Sequence, residues 1–395
     1  MTAEAALASR PQPDWRAGGF GLYVHWPFCL AKCPYCDFNS HVPRDVDHAA
    51  WRTGLLAEMG HMRALTGPRP LDTVFFGGGT PSLMAPETVG ALIDEADRLW
   101  GLAGGAEITL EANPTSAEAG KLHAYGSAGV NRLSMGVQAL NDADLKALGR
   151  THSVSEAEAA FEIARNAFGR VSFDLIYARM GQSVPDWEAE LARALSMAVD
   201  HLSLYQLTIE PGTRFGELHD RGKLRVPADA TAAEMYDLAQ AMTGAAGMPA
   251  YEISNHARPG AESRHNLVYW RYGDYAGIGP GAHGRVTRDD GTRLSTVTAR
   301  APSDWLAMTA GQGHAVIEES RVDPADQATE YMLMALRLAE GADLGRYARL
   351  AGRELPADRI GSMVGDGSLS LDEHRIRATD RGRCVLNRLL ADLLA

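Results

Sequence analysis

The chain has 395 residues but only four cysteines, and it has fewer basic than acidic side chains, 38 Lys and Arg against 50 Asp and Glu. So few cysteines exclude a disulfide framework, and three of them clustered as thiols imply a reducing compartment. A formal net charge of −12 argues against general nucleic-acid binding, which needs basic surface to displace the counterions of phosphate. No apolar run is long enough to span a bilayer. The stretch 1–16 lacks the apolar segment of a signal peptide. No internal repeat and no low-complexity segment interrupts the chain. These absences describe a soluble, cytoplasmic protein. Its 45% hydrophobic content is ample for a core, and its length fits one large domain plus a smaller one.

What is present is concentrated in one run, Cys29-Leu30-Ala31-Lys32-Cys33-Pro34-Tyr35-Cys36. Iron–sulfur clusters are held by cysteine thiolates, and a four-iron cube normally takes four of them. Three thiolates on one loop leave one iron with an open position, and open metal sites are places for chemistry. Two plainer readings compete. The thiols could bind zinc with His25 or His41 as fourth ligand, although zinc sites usually pair CxxC motifs and no second pair exists here. They could also be ordinary buried thiols. Cys384, in the last predicted helix, reads as a buried small hydrophobe.

Apolar strand-like runs alternate with helical patterns. Strands are expected at 22–26, 72–76, 107–111, 132–137, 171–176 and 202–209, with helices such as 48–65 and 86–99 between them. Pro86 opens its helix well, because its fixed φ and missing donor suit a first turn. The strands read as near-continuous apolar runs, which fits a parallel sheet covered by helices. Six such units suggest an α/β fold built as a partial (β/α)6 TIM-like barrel, with function at the C-terminal strand ends. Polar and glycine residues gather at those ends: the cysteine loop after the first strand, Gly77-Gly78-Gly79-Thr80-Pro81 after the second, Glu111, Gln138, Asp174 and Tyr205-Gln206.

Beyond about Leu224 the pattern changes. A helix at 229–246, a short strand at 251–253 and a glycine- and aromatic-rich loop at 265–284 are expected. A helix at 329–338 opens a small α+β module that ends in a hairpin and a helix at 381–394. It reads as winged-helix-like, and its many acidic residues favour packing or partner binding over DNA. The expected division is a tail at 1–20, a barrel core at 21–225, an extension at 226–320 and the C-terminal module at 321–395.

Several rim residues suit a polar ligand. Three glycines after a strand let the backbone approach without Cβ interference. Arg150 can clamp a carboxylate through its planar fork. Glu111, Gln138 and Asp174 at central strand ends are costly to bury unless hydrogen-bonded, so one bound polar ligand accounts for all three.

The spacing CxxxCxxC resembles the signature of radical S-adenosylmethionine (SAM) proteins, and the likeness extends further. The runs Tyr23-Val24-His25-Trp26-Pro27-Phe28-Cys29, Cys33-Pro34-Tyr35-Cys36-Asp37-Phe38-Asn39-Ser40, Phe76-Gly77-Gly78-Gly79-Thr80-Pro81-Ser82, Glu111-Ala112-Asn113-Pro114, Arg132-Leu133-Ser134-Met135-Gly136-Val137-Gln138, Gly149-Arg150-Thr151-His152 and Ser203-Leu204-Tyr205-Gln206-Leu207 resemble the oxygen-independent coproporphyrinogen III oxidase family, from about Gly21 to the C-terminus. The resemblance implies a radical SAM barrel with a [4Fe-4S] cluster on Cys29, Cys33 and Cys36. It implies SAM contacts at Tyr23, Tyr35, Gly78, Gly79, Thr80, Glu111, Gln138, Arg150 and Asp174. In that superfamily an electron passes from the cluster to the sulfonium of SAM, giving methionine and a 5′-deoxyadenosyl radical, and a donor such as a flavodoxin supplies the electron.

Within the family the chain looks like the HemW-type haem chaperone branch. The oxidases carry a fourth cysteine where Phe38 stands, and a longer N-terminal segment. The chaperone branch carries HNxxYW, here His265-Asn266-Leu267-Val268-Tyr269-Trp270. The resemblance implies that His265 helps bind haem, with Tyr269 and Trp270 able to stack on the macrocycle; without it, a core histidine is the plainer reading. It implies haem, acceptor haemoproteins such as membrane respiratory enzymes, and no membrane span. The alternative is oxidative decarboxylation of coproporphyrinogen III to protoporphyrinogen IX. One departure stands out: the family usually has Gly-Leu-Pro-Gly-Gln where this chain has Ala178-Arg179-Met180-Gly181-Gln182.

Overall fold

A computed structural model describes residues 13–395, so the segment 1–12 of the expected tail lies outside the described residues. The rest of that tail is packed rather than free. A turn at Asp14–Ala17 buries Trp15, and the Asp14 carboxylate accepts from Arg346 at 2.8 and 2.7 Å.

Six parallel strands follow, β1 (Phe20–Trp26), β2 (Leu71–Gly78), β3 (Leu102–Ala112), β4 (Arg132–Gln138), β5 (Arg170–Tyr177) and β6 (His201–Gln206), paired in sequence order. Helices cross between them. His48–Thr66 starts where the Asp47 side chain accepts from the Ala49 and Ala50 amides, and Pro86–Trp100 starts on its proline. This is the α/β barrel expected, but the strands are not continuous apolar runs. They alternate. Outward-facing Leu22, Val24, Val74, Phe76, Ile108, Leu110, Leu133, Met135, Val171 and Phe173 are buried in the main core, each fully buried side chain contributing about 1.5–3 kcal/mol. The intervening residues, among them Tyr23, Thr73, Glu107, Arg132, Ser134, Ser172, Asp174 and Ser203, face one another inside the barrel. The polar inner face was obscured in the sequence because both faces are covered.

The sheet continues past the barrel on both sides. β7 (Asn255–Ala257) adds antiparallel to β6. β8 (Asp274–Ile278) adds parallel to β1, and β9 (His283–Thr287), β10 (Arg293–Thr298) and β11 (Val316–Arg321) extend that edge into one eleven-stranded sheet. The region expected as an extension, 226–320, adds its strands to the same sheet. Two local expectations are corrected. Residues 251–253 are bends, and the strand begins at Asn255, where pairing to β6 becomes available. The stretch 265–284 is not a loop: it holds the helix Arg264–Trp270, capped by the Ser263 side chain on the Asn266 amide, and then β8.

The C-terminal module has its own apolar core around Tyr331, Met332, Ile360, Leu369, Ile376, Leu389 and Leu393. Its three-stranded antiparallel sheet, with helices about it, is the winged-helix-like arrangement expected. The last helix is broken at Val385 into Asp380–Cys384 and Leu386–Leu394. Cys384 sits at that break and is exposed, its thiol donating to the Asp380 carbonyl at 3.4 Å. The reading of Cys384 as a buried hydrophobe is thus wrong: Leu386, Leu389, Leu390 and Leu393 carry the buried face instead. Among the described residues no helix is long and apolar enough to cross a membrane.

Candidate functional site

One pocket opens at the C-terminal ends of the barrel strands. Cys29, Cys33 and Cys36 line it together with Tyr35, Gly78, Gly79, Thr80, Glu111, Gln138, Arg150 and Asp174. The sequence-predicted residues thus converge on one space, with two exceptions, Tyr23 and His265. Phe38, where the oxidases have a fourth cysteine, stands at the rim and is 62% exposed.

The cysteine loop is shaped by backbone bonds. The Cys29 amide donates to the His41 carbonyl at 2.9 Å, and the Cys36 amide to the Cys33 carbonyl at 3.1 Å. The three thiols are free and half-buried. Burial pushes the Cys29 thiol up, against a donated bond from Thr80. Both histidines considered as zinc ligands are committed elsewhere: His25 Nε2 lies 3.0 Å from the Asn39 carbonyl, and His41 Nε2 3.1 Å from Asn39 Oδ1. The free thiols, the open pocket beside them and the donors aimed at their sulfurs fit a thiolate-held cluster better than a zinc ion.

The glycine loop comes close for a steric reason. A Cβ on Gly79 would stand 2.8 Å from the Phe28 carbonyl oxygen, and one on Gly78, which has φ of +112°, 2.6 Å from the His25 ring. Only glycine lets this strand end lie against the cysteine loop. Gly136 acts similarly: a Cβ there would meet Gln138 Nε2 at 2.8 Å and Arg150 Nη2 at 3.4 Å. Gln138 itself has φ of +72°, a costly conformation for a non-glycine residue that persists where surroundings enforce it.

The pocket floor is acidic. Burial, and then the neighbouring Asp174 charge, push the Glu111 carboxyl up to about 8, and its Oε2 accepts from the Gly78 amide at 3.3 Å. Burial also pushes Asp174 up to about 6, against bonds from Ser203 and Ser134 and the charge of Arg132. Two carboxyls raised together in a polar cleft mark a place prepared for a cationic or hydroxyl-bearing ligand.

Tyr23 lies beneath this floor. Its hydroxyl is 3.0 Å from His25 Nδ1, and its ring stacks 6.3 Å from Phe75 and 6.4 Å from His265. It supports the pocket rather than lining it.

His265 is farther down, at the base of the barrel. It is 1% exposed. Nδ1 lies 2.7 Å from Thr73 Oγ1 and Nε2 2.8 Å from the Tyr269 hydroxyl. Its ring stacks on Phe75 at 4.9 Å, and its amide donates to Glu107 at 3.2 Å. Burial lowers its pKa to about 3, so the imidazole is neutral. The helix Arg264–Trp270 therefore closes the barrel base. The C-terminal module braces it from outside: Arg346 donates to the Arg271 carbonyl at 2.7 Å, and Arg271 pairs with Glu340 at 2.8 Å.

Sequence reasoning left Asn113 and Glu118 unassigned. Both line the pocket. Asn113 is visible only as part of a strand-end motif, and a lone glutamate in the short helix Ser116–Ala119 gives no signal. The altered segment after β5 does not line this pocket. Arg179 is 3% exposed and pairs with Asp144 at 2.8 Å and Glu190 at 2.7 Å, so its guanidinium knits the loop to the neighbouring helices.

Residues 23–194 match the radical SAM superfamily, and residues 322–385 match the HemN C-terminal domain. Heme chaperone HemW of Escherichia coli strain K12 is 38% identical over 379 residues, spanning 95% of this chain and 98% of its own. The chain belongs to the HemW family of radical SAM proteins. A mitochondrial relative in Mus musculus, radical S-adenosyl methionine domain-containing protein 1, is 40% identical over 98% of this chain and 90% of its own. Among solved structures, the coproporphyrinogen III oxidase HemN of Escherichia coli aligns with a TM-score of 0.78 at 22% identity, over 98% of this chain and 94% of that one. That likeness speaks for the fold. Membership of the superfamily implies a [4Fe-4S] cluster and SAM, and the mouth of the barrel has the thiols and polar groups to hold both.

Proposed function

We propose that the protein is a haem chaperone that binds haem and passes it to acceptor haemoproteins, with a [4Fe-4S] cluster and SAM bound at the barrel mouth. The observation that carries this reading is the pairing, in one barrel, of a mouth with three cysteines and a base closed by the HNxxYW helix around a neutral histidine. The Heme chaperone HemW name borne by relatives in Escherichia coli, Mycobacterium tuberculosis and Bacillus subtilis supports it.

In this reading Cys29, Cys33 and Cys36 hold the cluster. Tyr35, Gly78, Gly79, Thr80, Glu111, Gln138, Arg150 and Asp174 surround SAM, with Tyr23 behind them. When bound, the cluster supplies one-electron chemistry at the sulfonium. Gly78 and Gly79 bring backbone amides close, Arg150 offers its fork to the carboxylate of SAM, and Glu111 and Asp174 accept from its hydroxyl or ammonium groups. His265 would bind haem through its neutral imidazole. Both its ring nitrogens are hydrogen-bonded inside the barrel, so haem capture requires the helix Arg264–Trp270 to move and Tyr269 to release Nε2. The electron donor is a flavodoxin-type protein and the compartment is the cytoplasm; acceptors include respiratory haemoproteins. The working division of the chain is 21–225 for the barrel, 226–320 for the extension carrying the haem helix, and 321–395 for the brace.

Anaerobic reconstitution with iron and sulfide, followed by haem titration and a coproporphyrinogen III assay on the same sample, tests the proposal. Tight haem binding without decarboxylation supports it. Conversion of propionate to vinyl groups with methionine release makes the protein an oxidase instead. His265→Ala protein that binds haem as tightly as the wild type removes His265 as the ligand.

A further inference from the structure

We infer that Asn113 is a positioning residue that holds a hydrogen-bond donor on each of two cluster cysteines and so sets the reduction potential of the cluster. Asn113 directly follows the end of β3. Its Nδ2 donates to Thr80 Oγ1 at 3.1 Å, and its Oδ1 accepts from Arg150 Nη2 at 2.5 Å. The amide can face only this way, because a guanidinium has donors and no acceptor. Thr80, having accepted from Asn113, points its own proton at Cys29 Sγ, 3.3 Å away. Arg150 Nη2 is taken by Asn113 and by the Gly136 carbonyl at 2.9 Å, which leaves Nη1 for Cys33 Sγ at 3.4 Å. One side-chain amide thus orients both donors.

The strap is itself anchored. The Asn113 backbone N–H donates to the Glu118 carboxylate at 3.0 Å. Glu118 is 2% exposed and also accepts from the Ser82 and Thr115 hydroxyls. The glycine loop, the end of β3 and the cysteine loop are therefore held as one unit.

Hydrogen bonds to cluster sulfurs shift the potential, because they stabilise the added negative charge of the reduced state. Thr80 and Arg150 both act in the direction that eases reduction, and Arg150 adds a positive charge. Arg150 is also the group offered to the SAM carboxylate. Binding at that carboxylate competes with Cys33 for the same guanidinium, so the arrival of SAM is felt at the cluster through Arg150. The inference rests on the reading that the three cysteines hold a cluster and that Arg150 meets SAM.

The test is an EPR-monitored redox titration of the full-length, anaerobically reconstituted protein, with and without SAM, alongside SAM binding. Asn113→Ala should keep its iron, move the midpoint to a more negative value, show a smaller SAM-induced shift than the wild type because the part relayed through Arg150 is gone, and bind SAM on the order of 10-fold more weakly. Asn113→Asp keeps the acceptor for Arg150 but not the donor to Thr80. It should recover SAM affinity and leave the midpoint low, a split that a purely structural role would not produce. It also carries the test should the alanine variant fail to fold. Wild-type midpoint and SAM shift in either iron-replete variant overturn the inference. A wild-type protein that takes up no four-iron cluster overturns the underlying reading instead.

Discussion

The two ends of this barrel treat polar side chains in opposite ways. At the mouth, thiols, carboxyls and a guanidinium converge on a pocket open to solvent, and Glu111 and Asp174 are held at raised pKa values of about 8 and about 6. At the base, the polar atoms around His265 converge on each other, and both ring nitrogens are taken by Thr73 and Tyr269. Both ends are rich in residues that a sequence motif marks as functional. Only the mouth is ready to receive a ligand. The base is shut by the very helix that carries the motif, so one end reads as a standing site and the other as a latch.

The largest effect is expected at the mouth. Cys33→Ser should abolish cluster retention, read as iron content after reconstitution, and with it SAM binding, while haem affinity at the base stays near wild type. Joint loss of haem binding in a folded variant would mean that the two ends are not separate. At the base, Tyr269→Phe removes the hydroxyl from His265 Nε2. A net hydrogen bond is worth about 1 kcal/mol, so haem uptake should quicken several-fold in stopped-flow absorbance. Slower uptake would show that Tyr269 holds haem rather than blocking it.

Glu111 sharpens the comparison through pH. Its carboxyl rises from an ordinary 4.5 to about 8 on folding, so the folded state binds a proton that the unfolded state releases. Stability of the ligand-free protein should therefore fall as pH rises from about 4.5 to about 8. Glu111→Gln should flatten that part of the Tm–pH curve. A wild-type curve already flat across this range would place Glu111 in a more solvated setting. The smallest effect lies outside both sites. Ala178 has φ of +55°, where the family usually has glycine. Ala178→Gly should relieve about 1 kcal/mol of left-handed strain, seen as a small rise in Tm with no change in SAM or haem binding.

Much of the mouth was legible because its chemistry needs local runs: thiols at fixed spacing, consecutive glycines, polar residues closing strands. Those runs stay adjacent in space whatever the rest of the fold does. Tyr23 was assigned to SAM because it sits in such a run, yet alternation along β1 puts its hydroxyl on His25, below the floor. The base was less legible. His265 packs against Thr73, which is 192 residues away, and its stretch read as a loop because glycines and aromatics follow it, although Ser263 caps a helix there. Asn113 went unassigned because an asparagine acts through partners that sequence does not show. Cys384 was misplaced because a break at Val385 turned it outward.

The claim beneath all of this is that the barrel mouth carries a cube with one iron open to SAM. Mössbauer spectra of iron-57-reconstituted protein, taken before and after SAM is added without oxygen, test it most directly. The account predicts four irons per chain, of which one changes its signal when SAM binds. Four irons that all ignore SAM, or no cube in fully folded protein, would contradict it.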